Sequence, residues 1–110
     1  MSCRVVLYGH PIDPVAFESH FHGTHLPLAA AIPGLGRREV SKGLPGPDGS
    51  LPPFYRSFDA WFDSPSHLAG VRSTPEGLAV IADLSNFASG GVTVVLSELA
   101  QSNTMRNPLP

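Results

Sequence analysis

One predicted strand constrains the fold of this chain more than any other segment, because neither of its faces is polar enough to be exposed to solvent. Residues 55–62 read YRSFDAWF. Alternate side chains of a β-strand share one face of the sheet. Both faces therefore carry large apolar groups, and both need cover. The faces comprise Phe58, Ala60 and Phe62 on one side, and Tyr55, Ser57, Asp59 and Trp61 on the other.

The remaining segments predict what covers the first of these faces. Apolar, β-branched or alternating runs predict three more strands, while Asp13-Pro14, Ser64-Pro65 and Thr74-Pro75 predict helix starts. The order β-α-β-β-α-β is typical of ferredoxin-like domains, so we expect an α+β fold with a four-stranded antiparallel sheet and helices on one face. The predicted strands are 4–8, 35–42, 55–62 and 92–99. The predicted helices run from 13 to before 33, over 63–72 and over 74–84. We expect a loop over 43–53 and a tail over 101–110.

The second face of the predicted strand indicates a partner. A chain of 110 residues has no spare helix to cover Tyr55 and Trp61. A second copy of the same sheet would present a matching surface. We therefore expect a homodimer in which Tyr55, Asp59 and Trp61 serve the interface between the two sheets.

Composition argues against several kinds of partner. The net charge is -2 with only 7 Lys and Arg, so no basic stripe is available to follow a phosphate backbone. Cys3 is the single cysteine, which excludes an internal disulfide and suits a reducing compartment. The apolar run before Pro11 is too short for a signal peptide, and no stretch approaches the ~20 apolar residues of a membrane span. We expect a cytoplasmic protein that binds neither nucleic acid nor membranes.

The first predicted helix carries three histidines, His20, His22 and His25. Pro27 cannot donate a hydrogen bond to the carbonyl of Gly23, so it should kink the helix beside His25. A defect of this kind inside an otherwise good helix is often tied to a site. At 100° per residue, the core-facing stripe consists of Phe17, Phe21, Thr24 and Leu28, with His25 at its edge.

His25 is the candidate catalytic residue, as a general base or acid, because histidine titrates near neutrality. We expect it to face a cavity, between the first helix and the sheet, that binds a small apolar organic ligand. The alternative is a half-buried histidine that donates to a backbone carbonyl near the kink. The expected ligand-binding residues are Phe17, Phe21, Leu28, Tyr8, Phe58 and Trp61, while Asp83, Ser85 and Asn86 are expected to fix the turn before the last strand.

A metal site on the same helix is the competing hypothesis. Glu18, His22 and His25 can lie on one helix flank because they are four and three residues apart. Zinc accepts such ligands, but one helix rarely closes its coordination sphere. With one cysteine and no nucleotide-binding motif, we expect neither a metal nor an organic cofactor. Glu18 and His22 should then form a surface ion pair, and His20 should be solvated.

Several short motifs resemble the EthD-like proteins of the dimeric α+β barrel superfamily. Within residues 4–99 they are Phe21-x-x-x-His25-x-Pro27-Leu28, Ile32-Pro33-Gly34-Leu35, Trp61-Phe62-Asp63-Ser64, Thr74-Pro75-Glu76-Gly77 and Ala82-Asp83-Leu84-Ser85-Asn86-Phe87. The resemblance implies one domain over 1–100 and a homodimer whose sheets pack face to face. It also implies a small, mostly cofactor-free protein linked to bacterial breakdown of organic compounds, with relatives in polyketide cyclisation, decarboxylation and monooxygenation. His25 matches the motif histidine of the family, whereas His20 and His22 do not.

Two functions are open on this basis. The first is a small cofactor-independent enzyme that acts on an apolar aromatic or carbonyl-bearing compound, with His25 as the general acid or base. The resemblance adds an oxidoreductase, cyclase or decarboxylase activity to that expectation. The second is a non-catalytic small-molecule-binding or accessory protein of a catabolic or biosynthetic cluster. No nucleophile–base pair, cofactor motif or closed metal set in the sequence decides between them.

Overall fold

Four antiparallel strands form a single sheet in the computed structural model, which describes residues 1–100. The strands lie in the order β2-β3-β1-β4, and every neighbouring pair is antiparallel. The predicted α+β ferredoxin-like fold is confirmed. The strands are β1 (Ser2–Tyr8), β2 (Leu35–Lys42), β3 (Arg56–Phe62) and β4 (Val92–Glu98).

The helices begin at the predicted positions. The side chains of Asp13, Ser64 and Thr74 each accept a hydrogen bond from a first-turn backbone amide, and a proline follows each of them. These caps satisfy amides that would otherwise lack a partner inside the helix. The elements are α1 (Pro14–His20), a π-helical turn (Phe21–His25), α2 (Leu26–Ala30), α3 (Pro65–Ala69), a 3₁₀ turn (Gly70–Arg72) and α4 (Pro75–Phe87).

The core lies between the helices and one face of the sheet. The predicted apolar side of β3 is part of it, since Phe58, Ala60 and Phe62 are buried. The main core residues are Val6 and Tyr8 of β1, the three residues of β3, and Phe17, Phe21, Ala29, Val80 and Phe87 of the helices. Asp59 and Trp61, on the opposite side of β3, do not belong to this cluster. The predicted interface role of Tyr55 is wrong, because Tyr55 precedes β3 and packs against the core, with its ring centroid 5.0 Å from that of Phe17.

The predicted helical stripe is wrong beyond Phe21. Thr24 is exposed and Leu28 only half-buried, whereas His25 and Ala29 are buried. The reason is the π-helical turn, in which the amide of Leu26 donates to the carbonyl of Phe21, five residues back. The wider turn aligns residues four apart, so Phe17, Phe21, His25 and Ala29 form one buried line. The defect expected at Pro27 is therefore a change of helical winding rather than a simple kink.

Two further expectations concern the ends and the connections. Residues 43–53 contain neither helix nor strand, as predicted. No helix among residues 1–100 is long and apolar enough to cross a membrane. The predicted tail, 101–110, lies outside the described residues.

Candidate functional site

His25 is held at the centre of a buried hydrogen-bonded chain. The π-helical turn places it inside the core, where the residue is 2% exposed. Its Nδ1 lies 2.8 Å from Oδ2 of Asp83 in α4, and its Nε2 lies 3.2 Å from the hydroxyl oxygen of Tyr8 in β1. Three elements that are distant in sequence thus meet at one imidazole. The alternative of a half-buried histidine bonded to a backbone carbonyl is wrong.

Asp83 has a different role from the turn that was predicted for it. It does not fix a turn, because α4 continues to Phe87, three residues beyond the predicted end. Asp83 is 6% exposed and lies on the buried side of α4 between Val80 and Phe87. An acidic residue on the apolar stripe of a helix is the signal that could have revealed it, since buried carboxylates require partners.

The carboxylate of Asp83 has partners besides His25. His20 donates from Nε2 to Oδ1 at 2.8 Å, and Asn86 donates from Nδ2 to the same oxygen at 3.0 Å. The expectation of a solvated His20 is therefore wrong, because its side chain is only 28% exposed and bonded to a buried acid. Asn86 supports this site rather than a turn, whereas Ser85 bonds locally to the carbonyl of Ala82.

The electrostatics of the chain favour an ionised Asp83 and a neutral His25. Burial raises the pKa of Asp83, but the hydrogen bonds from Asn86, His20 and His25 outweigh that effect, so the pKa lies below its ordinary value. Burial lowers the pKa of His25, and the hydrogen bond and charge of Asp83 offset this only in part. Burial also raises the pKa of Tyr8 far above its ordinary value, so the hydroxyl stays protonated.

These protonation states imply one tautomer for His25. Nδ1 carries the proton that is donated to Asp83, and Nε2 presents its lone pair toward the hydroxyl of Tyr8. A carboxylate that fixes the tautomer and orientation of an imidazole is a common arrangement in acid–base sites. The lone pair of Nε2 therefore accepts the hydrogen bond of the Tyr8 hydroxyl, and it becomes free to take up a proton when that hydroxyl turns away.

A small cavity lies against this chain, between the helices and the sheet. It measures about 10 Å³, which is about enough for one water molecule. Tyr8, His25 and Phe58 line it, together with Arg4 and the aliphatic side chains of Val6, Ala29, Ile32, Val71, Val80 and Leu84. His25 lies beside this mainly apolar cavity, which is much smaller than an organic ligand.

The other predicted ligand-binding residues lie elsewhere. Phe17 and Phe21 do not line the cavity, because their rings pack edge-on around the ring of Tyr8 at centroid distances of 5.5 and 5.4 Å. They hold Tyr8 in place. Leu28 is half-buried at the rim of the core, and Trp61 points to the opposite side of the sheet from Phe58.

The predicted alternative metal ligands do not converge. His25 turns inward to Asp83, while Glu18 binds Arg56 through the Nε of Arg56 at 3.0 Å. His22 lies 3.5 Å from Glu18 at the surface, as expected for an exposed ion pair. Within residues 1–100, no three His, Cys, Asp or Glu side chains are grouped so that they could hold a metal ion.

The fold and the buried chain define a small α+β protein of the ferredoxin-like class with a candidate acid–base site. A family model described as the EthD domain matches residues 9–91. The chain belongs to the EthD family, as the sequence motifs predicted.

Similar proteins agree with this membership. An 11.0 kDa protein from the thcB–thcC intergenic region of Rhodococcus erythropolis is 37% identical over 93 residues, which cover 84% of this chain and 89% of that protein. A crystal structure of an ethyl tert-butyl ether D (EthD) family protein from Bacillus halodurans is 32% identical, with a TM-score of 0.83 over 90% of this chain and 98% of that one. A dimeric ferredoxin-like protein of unknown function from Thermobifida fusca shares the fold at 18% identity, with a TM-score of 0.65 over 89% and 90% of the two chains.

Proposed function

We propose that this EthD-family protein is an acid–base enzyme that acts on an apolar, carbonyl-bearing or aromatic small molecule, with His25 as the general base. The observation that carries the proposal is the buried chain from Asp83 through His25 to Tyr8 at the wall of an apolar cavity. A titratable group with a shifted pKa beside a cavity is a common mark of a catalytic site.

The chain suits the removal of a proton from carbon next to a carbonyl. Nε2 of His25 accepts the proton, and the ionised carboxylate of Asp83 stabilises the imidazolium that forms. Before this transfer, the hydroxyl of Tyr8 must turn from Nε2 to the substrate oxygen, which frees the lone pair of Nε2 and places a hydrogen-bond donor on the developing enolate. Return of the proton from Nε2 to carbon or to a leaving group completes the cycle. No organic cofactor is required for these steps.

The closed cavity places a condition on this proposal. Its volume of about 10 Å³ admits no organic substrate unless a wall moves. Arg4 and Val71 line both this cavity and an open cleft of about 220 Å³ beside it. The shared wall contains the long, flexible side chain of Arg4, so displacement of that side chain would join the two spaces.

Proton exchange into a simple ketone tests the proposal without knowledge of the natural substrate. 2-Tetralone in D₂O exchanges its α-protons through an enolate, and NMR measures the rate. We expect the wild-type protein to accelerate exchange, and His25→Gln to lower the protein-dependent rate by about a hundredfold or more. His22→Gln, a surface histidine paired with Glu18, is the matched control and should keep the wild-type rate. Equal rates for wild type and His25→Gln would contradict the proposal.

A non-catalytic binding or accessory protein is the second candidate function. It is favoured by the size of the cavity and by the fact that both ring nitrogens of His25 already have partners. In that case the buried chain would serve to orient α1, α4 and β1. The exchange experiment separates the candidates, because an accessory protein would show no protein-dependent exchange while His25→Gln would still lower its stability.

We also propose that the chain assembles as a homodimer through the side of the sheet that faces away from the helices. Cys3, Val5 and Leu7 of β1 lie on that side, opposite Trp61, Asp59 and Ser57 of β3. The indole nitrogen of Trp61 and one carboxylate oxygen of Asp59 are buried there without a partner among residues 1–100. The dimeric T. fusca protein of the same fold supports this arrangement.

A further inference from the structure

An apolar cleft with two cations opens beside the candidate site, on the helix side of the edge strand β4. Its volume is about 220 Å³. Of the eight residues that line it, two are arginines and none is acidic. The residues that matter for recognition are Arg4 and Arg72, and the apolar Leu68, Val71, Val94 and Leu96.

Arg4 is the unusual member of this set. It lies in the middle of β1, between Ala60 of β3 and Leu96 of β4, and is half-buried. Its guanidinium makes no hydrogen bond and no ion pair with any residue of the part of the chain that the structure describes. Burial lowers its pKa and the charge of Arg72 does the same, but a guanidinium keeps its proton in proteins. None of its nitrogens is fully buried, so the guanidinium reaches the cleft with its donors free, and an anion in the cleft could bind to it.

The chemistry of the cleft narrows the class of that anion. Arginine binds both carboxylates and phosphates through two parallel hydrogen bonds, and the single charge of a carboxylate suits a cleft whose other lining residues are apolar. The surrounding leucine and valine side chains favour an apolar body. A volume of 220 Å³ is below the range of about 300 to 1,000 Å³ that is usual for drug-sized ligands, so the body should be small.

We infer that this cleft binds a small apolar carboxylic acid, whose carboxylate is held by Arg4 with Arg72 beside it. Because Arg4 also lines the cavity with Tyr8 and His25, the carboxylate would anchor the substrate while the carbon next to its carbonyl group reaches Nε2 of His25. The inference rests on the proposed acid–base function and specifies its substrate class as a keto acid or an aromatic acid. The displaced side chain of Arg4 would open the wall between the cleft and the cavity.

A matched pair of probes tests the charge requirement. 2-Naphthoate and its neutral isostere 2-naphthamide differ only in the anionic group, and NMR titration of the full chain measures both affinities. We expect 2-naphthoate to bind at least tenfold more tightly than 2-naphthamide. Arg4→Gln should abolish this preference by weakening naphthoate at least tenfold, while it leaves naphthamide unchanged. Arg72→Gln should weaken naphthoate less, because Arg72 is exposed.

Two further variants control for a general loss of positive charge and for misfolding. Arg37→Gln removes an exposed arginine of β2 that already pairs with Glu39, and it should leave both affinities unchanged. Arg4→Lys keeps the charge but not the forked geometry, so it should give intermediate binding and provides a test if Arg4→Gln fails to fold. Equal affinities for the acid and the amide, or an Arg4→Gln variant that binds naphthoate normally, would overturn the inference.

Two further results separate this inference from the proposed function. Exchange of 2-tetralone that depends on His25, without selective naphthoate binding, would overturn the inference alone. Selective naphthoate binding in a protein that catalyses no exchange would overturn the proposed function and leave the carboxylate site. If a second copy of the chain fills the cleft, naphthoate will not bind and Arg4→Gln will change the sedimentation of the protein, which also overturns the inference.

Discussion

The two faces of the sheet differ in how their buried polar side chains are hydrogen-bonded within the chain. On the helix side, buried Tyr8 bonds to His25 and His25 bonds to Asp83, while Oε2 of Glu76 in α4 is buried without a partner within residues 1–100. On the opposite side, Trp61 and Asp59 each bury a polar atom that has no partner within residues 1–100. Strand alternation produces both faces, but a network of hydrogen bonds between buried side chains forms only on the helix side within the described residues. This difference is the reason for proposing that the helix side carries the chemistry and that the other side serves assembly.

The largest expected effect concerns the side that faces away from the helices. Trp61→Glu places a charge in the proposed sheet-to-sheet interface and should convert the dimer to a monomer or an aggregate. Analytical ultracentrifugation at micromolar concentration measures this. Leu78→Glu, on the exposed side of α4, is the control and should remain dimeric. A wild-type protein that sediments as a single 11.6 kDa species would rule out the assembly role of this face.

Replacement of an aspartate by asparagine should affect the stability of the protein differently on the two faces of the sheet. Asp83→Asn removes the charged acceptor of His20, His25 and Asn86 and should lower the free energy of unfolding by about 2 to 3 kcal/mol. Asp59→Asn should change it by less than about 0.5 kcal/mol. Burial and the charge of Glu39 already raise the pKa of Asp59, so its charged form is disfavoured. Urea denaturation at a fixed protein concentration checks both values, and similar losses would contradict the contrast between the faces.

The smallest expected effect is a pH dependence that originates on the helix side. The pKa of His25 is lowered in the folded protein, chiefly by burial, relative to about 6.5 in the unfolded chain. As the pH falls below about 6.5, the unfolded chain takes up this proton first, so the free energy of unfolding decreases. Denaturation at pH 7 and pH 5 should therefore show a smaller decrease for His25→Gln than for wild type.

His22→Gln is the control for that measurement, because His22 is exposed at the surface. It should retain the wild-type pH dependence. If His25→Gln loses as much stability as wild type between the two pH values, burial of a neutral His25 is not a source of the pH dependence.

Most of the fold could be predicted because its signals are local. Strand β2 has the predicted bounds, and the caps at Asp13, Ser64 and Thr74 begin helices as expected. Alternation in β3 predicted which side chains enter the core. Each of these features depends on residues within a few positions of one another, where backbone geometry and capping chemistry act directly.

The candidate site was predicted only in part. His25 was found because a histidine beside a proline in an apolar helix is conspicuous in sequence. Its burial was underestimated, since a regular helical period does not anticipate a π-helical turn. The roles of Asp83 and Arg4 were missed, because Asp83 bonds to a histidine 58 residues away and the cleft beside Arg4 depends on the pairing of β1 with β4.

The sequence by itself determined the order of the elements, the helix starts and the apolar pattern that requires a four-stranded sheet with cover on both sides. These depend on short-range periodicity and on the chemistry of helix ends. Only the tertiary structure decided that His25 bonds to Asp83 and Tyr8, that His20 is held by the same carboxylate, and that Arg4 separates the cavity from an apolar cleft. Contacts between distant elements depend on winding, register and packing, and no short window of sequence encodes those distances.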